Sequence, residues 1–261
     1  MIEIKTAQEI EIMAEGGRIL AKIMKKLEKR VKPGITTMEL EKLAEGLILK
    51  SGGKCSFKGY KSKNGDNVRS YPFCLCTSIN EEIVHVPPSG RILKEGDVLK
   101  IDLGIFYKGF HCDMAITLPV GKVSFEAQRL IRATKKSLKL AIKKVKAGNT
   151  FGDVGNTIQR YIESQGFNVV RELCGHGIGR ELHEEPQILN YGKRKTGEKI
   201  KEGMVFCIEP MVTAGDWHLK RTKDGFGYQT VDGSLTAHFE HTIAVTKNGC
   251  KVLTALNKEL C

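Results

Sequence analysis

Two related α+β halves facing each other across a central cleft are predicted by three features of the 261-residue sequence. Four segments recur in the same order, capped amphipathic helices open each copy, and β-branched apolar runs follow the helices. LKEGDVLKID (93–102) aligns with IKEGMVFCIE (200–209), which sets Asp102 over Glu209. VKPGITTMELEKLAEGLILKSGG (31–53) resembles VKAGNTFGDVGNTIQRYIESQGF (145–167), and VHVPP (84–88) resembles LHEEP (182–186). FHCDMAITLPVG (110–121) matches HFEHTIAVTKNG (238–249) more faintly, and one shift of alignment sets Asp113 over Glu240. Loop insertions account for the changing offsets. The expected organisation is one domain of two halves, approximately 1–121 and 122–254, with a short C-terminal tail.

The helices read in order. Thr6 followed by Glu9 makes a capping box, and Ile10, Met13, Ile19, Leu20, Ile23 and Leu27 recur near helical spacing, so residues 7–31 are predicted helical until Pro33 and Gly34 stop them. Thr36 with Glu39 caps a second helix that runs to the glycines at 52–53. Ser124 opens the counterpart of the first helix, and Thr150 with Asp153 opens the counterpart of the second. Between these lie the strands.

Composition excludes several classes. Apolar residues make up 41% and charged residues 28% of the chain, an ordinary globular balance. The N-terminal MIEIKTAQEIEIM mixes acids into its apolar residues and lacks the anatomy of a secretory signal, and no stretch approaches the ~20 apolar residues of a membrane span. A cytoplasmic protein without a membrane partner is the expectation. The eight cysteines show no CxxC pair and no regular spacing, so they read as free thiols. The net charge of +12 gathers in MKKLEKRVK (24–32), KKSLKLAIKKVK (135–146) and KRKTGEKIK (193–201). Solvated faces explain this, and so does docking on a polyanion such as RNA; electrostatics alone leaves both open.

The chemistry is concentrated in the acids. VLKIDLGIFY-KG-FHCDMAITL reads as a hairpin turning at Lys108-Gly109, so Tyr107 faces Phe110 and Gly104 faces Asp113. Side chains alternate along a strand, which makes Asp102 and Asp113 diagonal neighbours on one face, within the ~7–8 Å of such pairs. Glu209 in IEP and Glu240 in HFEHTIAV are likewise read as acids in strand positions, where acids are disfavoured. Converging carboxylates repel, and burying them unpaired costs several kcal/mol unless a cation intervenes. His176, in CGHGIG, adds an imidazole whose flanking glycines let backbone crowd close. Four carboxylates with one imidazole suit a pair of Co, Mn, Fe or Zn ions and are too rich in oxygen for a structural zinc. Such pairs support metal-assisted hydrolysis.

SINEEIVH, DVLKIDLGI, HCDMAIT, GHGIG, FCIEPM and HFEHTI, in this order over nearly the whole chain, resemble the type I methionine aminopeptidases, whose fold is the pseudo-two-fold "pita-bread" domain, with antiparallel sheets lining the cleft and helices outside. The resemblance implies a monomeric enzyme that removes the initiator methionine from nascent polypeptides. It implies Asp102, Asp113, His176, Glu209 and Glu240 as ligands of two divalent metal ions, with Asp113 and Glu240 bridging. His85 and His183, which the internal repeat pairs, then contact substrate: His183 at the scissile carbonyl, His85 near the leaving group. Glu209 shuttles the proton to the departing amine, and the substrate's free α-amine on a metal confines cleavage to the first residue.

The methionine pocket falls to Tyr60, Tyr71, Cys76 and Phe226 by the same resemblance. Here the sequence departs from the family. Phe57 stands where bacterial members commonly carry cysteine, Leu182 where they often carry phenylalanine, and KSKNGDNVRS (61–70) is longer than the usual connection, reading as a surface loop beside the cleft. Two rival readings remain. Xaa-Pro peptidases share the fold but place a substantial domain before it, and a non-catalytic ribosome- or RNA-binding module of this fold lacks the ligands. Ribosome contact through the basic surface is compatible with catalysis.

Overall fold

The first helix starts where the Thr6 hydroxyl accepts the Glu9 N–H at 3.3 Å while the Glu9 carboxylate takes the Thr6 N–H at 2.8 Å. The computed structural model describes residues 2–61 and 69–256. α1 (Ala7–Glu28) and α2 (Thr37–Lys50) precede β1 (Lys54–Cys55), β2 (Leu75–Ile79), β3 (Glu82–Val84), β4 (Val98–Tyr107) and β5 (Phe110–Pro119). The order then repeats. α3 (Phe125–Ile142) and α4 (Phe151–Ser164) precede β6 (Asn168–Val169), β7 (Gly175–Gly177), β8 (Glu184–Ile188), β9 (Val205–Ile208) and β10 (Met211–Thr213). β11 (Leu219–Arg221), β12 (Tyr228–Thr230), β13 (Thr236–His238), β14 (His241–Thr246) and β15 (Gly249–Val252) complete the chain.

All four helices carry the expected N-caps: Thr6, Thr36, Ser124 and Thr150. α1 ends at Glu28, short of the expected residue 31, because Arg30 N–H turns back to Leu27 O at 2.9 Å and tightens the last turn before Pro33. The helices cover antiparallel sheets, α1 against β4 and β5, α3 against β5, β9, β10 and β13. One apolar cluster lies beneath α1 and α2, and a second beneath α3 and α4. This is the expected α+β architecture.

The hairpin forms as its turn dictates. Lys108 and Gly109 take left-handed φ values of 48° and 92°, and Tyr107 pairs with Phe110 and Gly104 with Asp113. Asp102 pairs with Ala115, so the two aspartates are diagonal neighbours as read from the sequence.

The glutamates are held differently from the expectation. Glu209 and Glu240 occupy no ladder position; each sits in a break between two strands. β9 and β14 pair in one sheet, with Ile208 opposite His241, while β10 and β13 pair in another, with Met211 opposite His238. Both chains therefore change sheet at the same level. Glu209-Pro210 on one faces Phe239-Glu240 on the other, and the kinks free the carboxylates from the in-out alternation of a strand.

The cysteines also need correction. β1 and β2 pair with the same edge of β4, Cys55 opposite Ile105 and Leu75 opposite Leu103. The chain leaves that edge at Cys55 and rejoins it at Cys74, which brings the Cα atoms to 5.0 Å and joins the sulfurs in a disulfide. Cys250 is disulfide-bonded as well, whereas Cys76, Cys112, Cys174 and Cys207 are free thiols. Most of the 61–70 segment, residues 62–68, lies outside the described residues, as does the end of the tail from 257.

Candidate metal centre

Two threonine hydroxyls stitch the repeated strands together around the acids. The Thr242 hydroxyl accepts the Asp113 N–H and donates to the Asp113 carbonyl, both at 2.9 Å. The Thr117 hydroxyl does the same for His238, accepting its N–H at 2.8 Å and donating to its carbonyl at 2.6 Å. Glu240 N–H completes the joint on Ala115 O at 2.9 Å. β5 is thereby locked against the β13–β14 kink, and Asp113 is held beside Glu240.

Carboxylate oxygens of Asp102, Asp113 and Glu240 lie within 4.8 Å of one another, as do donor atoms of Glu209, His238 and Glu240. His176 Nε2 stands 3.6 Å from Glu209 Oε1 and 3.9 Å from Glu240 Oε1. All four acids are at least nine-tenths buried. Burial is the leading cause that raises every one of their pKa values, and repulsion from Asp113 adds to it for the other three. Asp102 Oδ1 and Glu240 Oε1 have no hydrogen-bond partner among the described residues. Orphaned, mutually repelling oxygens beside an imidazole suit one or more divalent cations.

His176 is oriented for such a role. Its Nδ1 meets Gly177 O at 2.9 Å, so the ring proton sits on Nδ1 and the Nε2 lone pair faces the glutamates. Burial lowers its pKa to about 4, keeping the ring neutral. The glycines around it are a packing requirement: a Cβ on Gly177 would meet Glu185 O at 2.1 Å, and one on Gly175 would meet Cys207 O at 2.4 Å.

His85 and His183 border the centre and open to solvent. His85 follows β3 in a left-handed conformation, φ 63°, which turns its ring out of the strand. The His183 ring packs edge-on against His176 with centroids 4.3 Å apart, and its Nδ1 lies 2.5 Å from the Tyr60 hydroxyl. Although one edge of the His183 ring faces solvent, the dense protein around it and the nearby His176 lower its pKa to about 3. Tyr60, Tyr71, Cys76 and Phe226 gather in one apolar cluster with Phe57 and Leu182, where Tyr71 meets Phe226 edge-on at 5.5 Å. Cys76 pairs directly with Asp102 across β2 and β4, so this cluster adjoins the acids.

A further group, Glu41, Glu45 and Cys74, is accounted for otherwise: Glu41 accepts the N–H groups of Cys74 and Leu75 at 2.9 Å, and Cys74 is bonded to Cys55. The residue that the sequence reading missed is His238. It lies in the same HFEH run as Glu240, and a strand-alternation reading gave no reason to turn its ring toward the acids.

Residues 11–247 match metallopeptidase family M24. Methionine aminopeptidase 1 of Bacillus subtilis is 45% identical over 254 residues, covering 97% of this chain and 99% of that protein. The crystal structure of a methionine aminopeptidase from Thermotoga maritima superimposes with a TM-score of 0.93 at 44% identity, covering 97% of this chain and 99% of that one. An Xaa-Pro dipeptidase from Bacillus anthracis shares the fold at 24% identity and a TM-score of 0.75, with 98% of this chain matching 63% of that one.

Proposed function

Because the chain belongs to metallopeptidase family M24 and, within it, to the methionine aminopeptidases, we propose that its reaction is hydrolytic removal of the N-terminal methionine from nascent polypeptides. The observation that carries this reading is the convergence of Asp102, Asp113, Glu209 and Glu240 with His176, against whose ring His183 packs. We assign the five converging residues as those that would hold two divalent ions, Co, Mn, Fe or Zn. Bound there, the ions supply Lewis acidity toward water and the scissile carbonyl.

The chain's own groups do the rest. His183, neutral and held through Nδ1 by Tyr60, presents Nε2–H to the carbonyl oxygen, where such a donor is worth roughly 2.7–4 kcal/mol of transition-state stabilisation. Glu209 receives a proton from the attacking water and returns it to the departing amine. His85 contacts the peptide near that leaving group. Tyr60, Tyr71, Cys76 and Phe226 receive the methionine side chain, a flexible thioether that suits soft, aromatic walls. The whole chain acts as one catalytic domain of two halves.

We place the enzyme in the cytoplasm as a monomer. Among the described residues no helix is long and apolar enough to cross a membrane. The groove between α3 and α4, lined by Lys143, Lys144, Lys146, Arg160 and Arg194, favours a salt-sensitive contact with ribosomal RNA, where nascent chains emerge. Ribosome co-sedimentation that falls with added salt is the expected result; co-sedimentation indifferent to salt removes that part.

Peptide cleavage tests the reaction. Methionine should be released from Met-Ala-Ser, lost on complete chelation and restored by Mn or Co. A preference for Xaa-Pro peptides, or turnover that survives complete metal removal, overturns the assignment.

A further inference from the structure

His238 is 1% exposed, and neither ring nitrogen has a hydrogen-bond partner among the described residues. A buried imidazole left this way is costly unless something else satisfies it. Its Nε2 stands 3.4 Å from Glu209 Oε2 and 4.0 Å from Glu240 Oε2. His176 stands in the complementary relation, 3.6 Å and 3.9 Å from the Oε1 atoms of the same two glutamates. Each glutamate thus offers one oxygen toward each imidazole. Donor atoms bound ~2.1 Å from one ion at tetrahedral or octahedral angles sit roughly 3.0–3.4 Å apart. The spacing of His238 Nε2 from Glu209 Oε2 is of that size.

The backbone leaves the ring little freedom to point elsewhere. His238 ends β13, opposite Met211 in β10, immediately before the kink that carries Glu240. Both of its main-chain polar groups are tied to the Thr117 hydroxyl. Lys100, the buried cation nearby, donates to the carbonyls of Asn80 and Val98 and makes no ion pair with Glu209 or Glu240 among the described residues.

We propose that His238 is a second imidazole ligand of the centre, binding through Nε2 to a divalent ion gripped by Glu209 and Glu240, on the side of the glutamates away from His176. This rests on the metallopeptidase reading of the same acids and adds a donor that the five-ligand set lacks. A centre with two imidazoles is less oxygen-rich and favours borderline ions over Mg or Ca.

Pulsed EPR of Mn(II)-loaded protein counts coordinated imidazole nitrogens without reference to turnover. Two distinct histidine couplings are expected in the wild type, with one lost in His238→Gln and the other in His176→Gln. Calorimetric titration of Mn into metal-free protein should show about tenfold or greater weakening for His238→Gln. Circular dichroism and thermal unfolding of the metal-free variants check that they fold. A single coupling in the wild type, or couplings unchanged in His238→Gln whatever its affinity, overturns the proposal while leaving the metal centre in place. Failure of the wild type to bind Mn at all overturns both.

Discussion

The Tyr60 hydroxyl meets His183 Nδ1 at 2.5 Å, with the two rings edge-on and 5.0 Å between centroids. Burial raises the Tyr60 pKa, so the phenol keeps its proton at neutral pH; we assign that proton to the bond with Nδ1, which leaves Nε2 as the protonated nitrogen. Tyr60→Phe removes that control while keeping the ring. We expect kcat on Met-Ala-Ser to fall about tenfold, equivalent to ~1.4 kcal/mol of transition-state stabilisation, with KM little changed. A Tyr60→Phe enzyme with wild-type kcat and a raised KM would instead make Tyr60 a wall of the methionine pocket alone.

How much of this was legible in the sequence depends on how far apart the interacting residues lie. The Thr6–Glu9 cap and the Lys108-Gly109 hairpin are local, and the hairpin register alone makes Asp102 and Asp113 neighbours. The placement of Glu209 and Glu240 is not local: it depends on two chains leaving one sheet and entering another at the same level. Strand alternation puts Glu209 and Glu240 inside strands, whereas each sits in a break between two. The same kink sets the direction of the His238 ring, which is why that residue escaped notice. The Cys55–Cys74 bond was hidden because it depends on β1 and β2 sharing one edge of β4, a pairing to which the spacing of 19 residues gives no clue.

Metal removal should cost stability as well as activity. Burial raises the pKa of all four carboxylates and Asp113 raises those of the other three, which destabilises the metal-free fold, and any ion that binds only the folded state stabilises it by mass action. At Mn a hundredfold above Kd the gain is about 2.7 kcal/mol, or roughly 5–10 °C in Tm for a chain of this size. Differential scanning calorimetry with and without Mn checks it. An unchanged Tm at saturating Mn would contradict a centre formed by these acids.

The two kinds of glycine should respond oppositely to alanine. At Gly177 a Cβ would lie 2.1 Å from the carbonyl oxygen of Glu185, a backbone atom that cannot swing aside. Gly177→Ala should therefore lose about 3 kcal/mol or more, and should weaken Mn binding by shifting His176. Gly46 is exposed within α2, where a Cβ would meet nothing within 4 Å and the helical backbone already suits alanine. Gly46→Ala should gain roughly 0.5–1 kcal/mol. Denaturant unfolding of both variants, read from the midpoint at constant slope, decides the matter.

Acid should loosen the anchor of the loop that carries His183. Glu9 accepts from Thr6 N–H at 2.8 Å and from Arg180 Nη2 at 2.6 Å, and Arg180 also reaches Glu3 Oε1 at 3.1 Å. The Thr6 amide first, and the Arg180 guanidinium second, hold the Glu9 pKa at about 2, below its ordinary 4.5. A depressed carboxyl binds fewer protons folded than unfolded, so its contribution is complete above pH 4.5 and disappears as pH falls toward 2. Glu9→Gln should be less stable than the wild type at neutral pH by no more than about 1 kcal/mol, as the Arg180 pair is partly exposed. That gap should narrow steadily between pH 4.5 and 2 in parallel thermal melts. A gap constant across this range would mean that the capping geometry alone, and not the charge of Glu9, secures the start of α1 to the Arg180 loop.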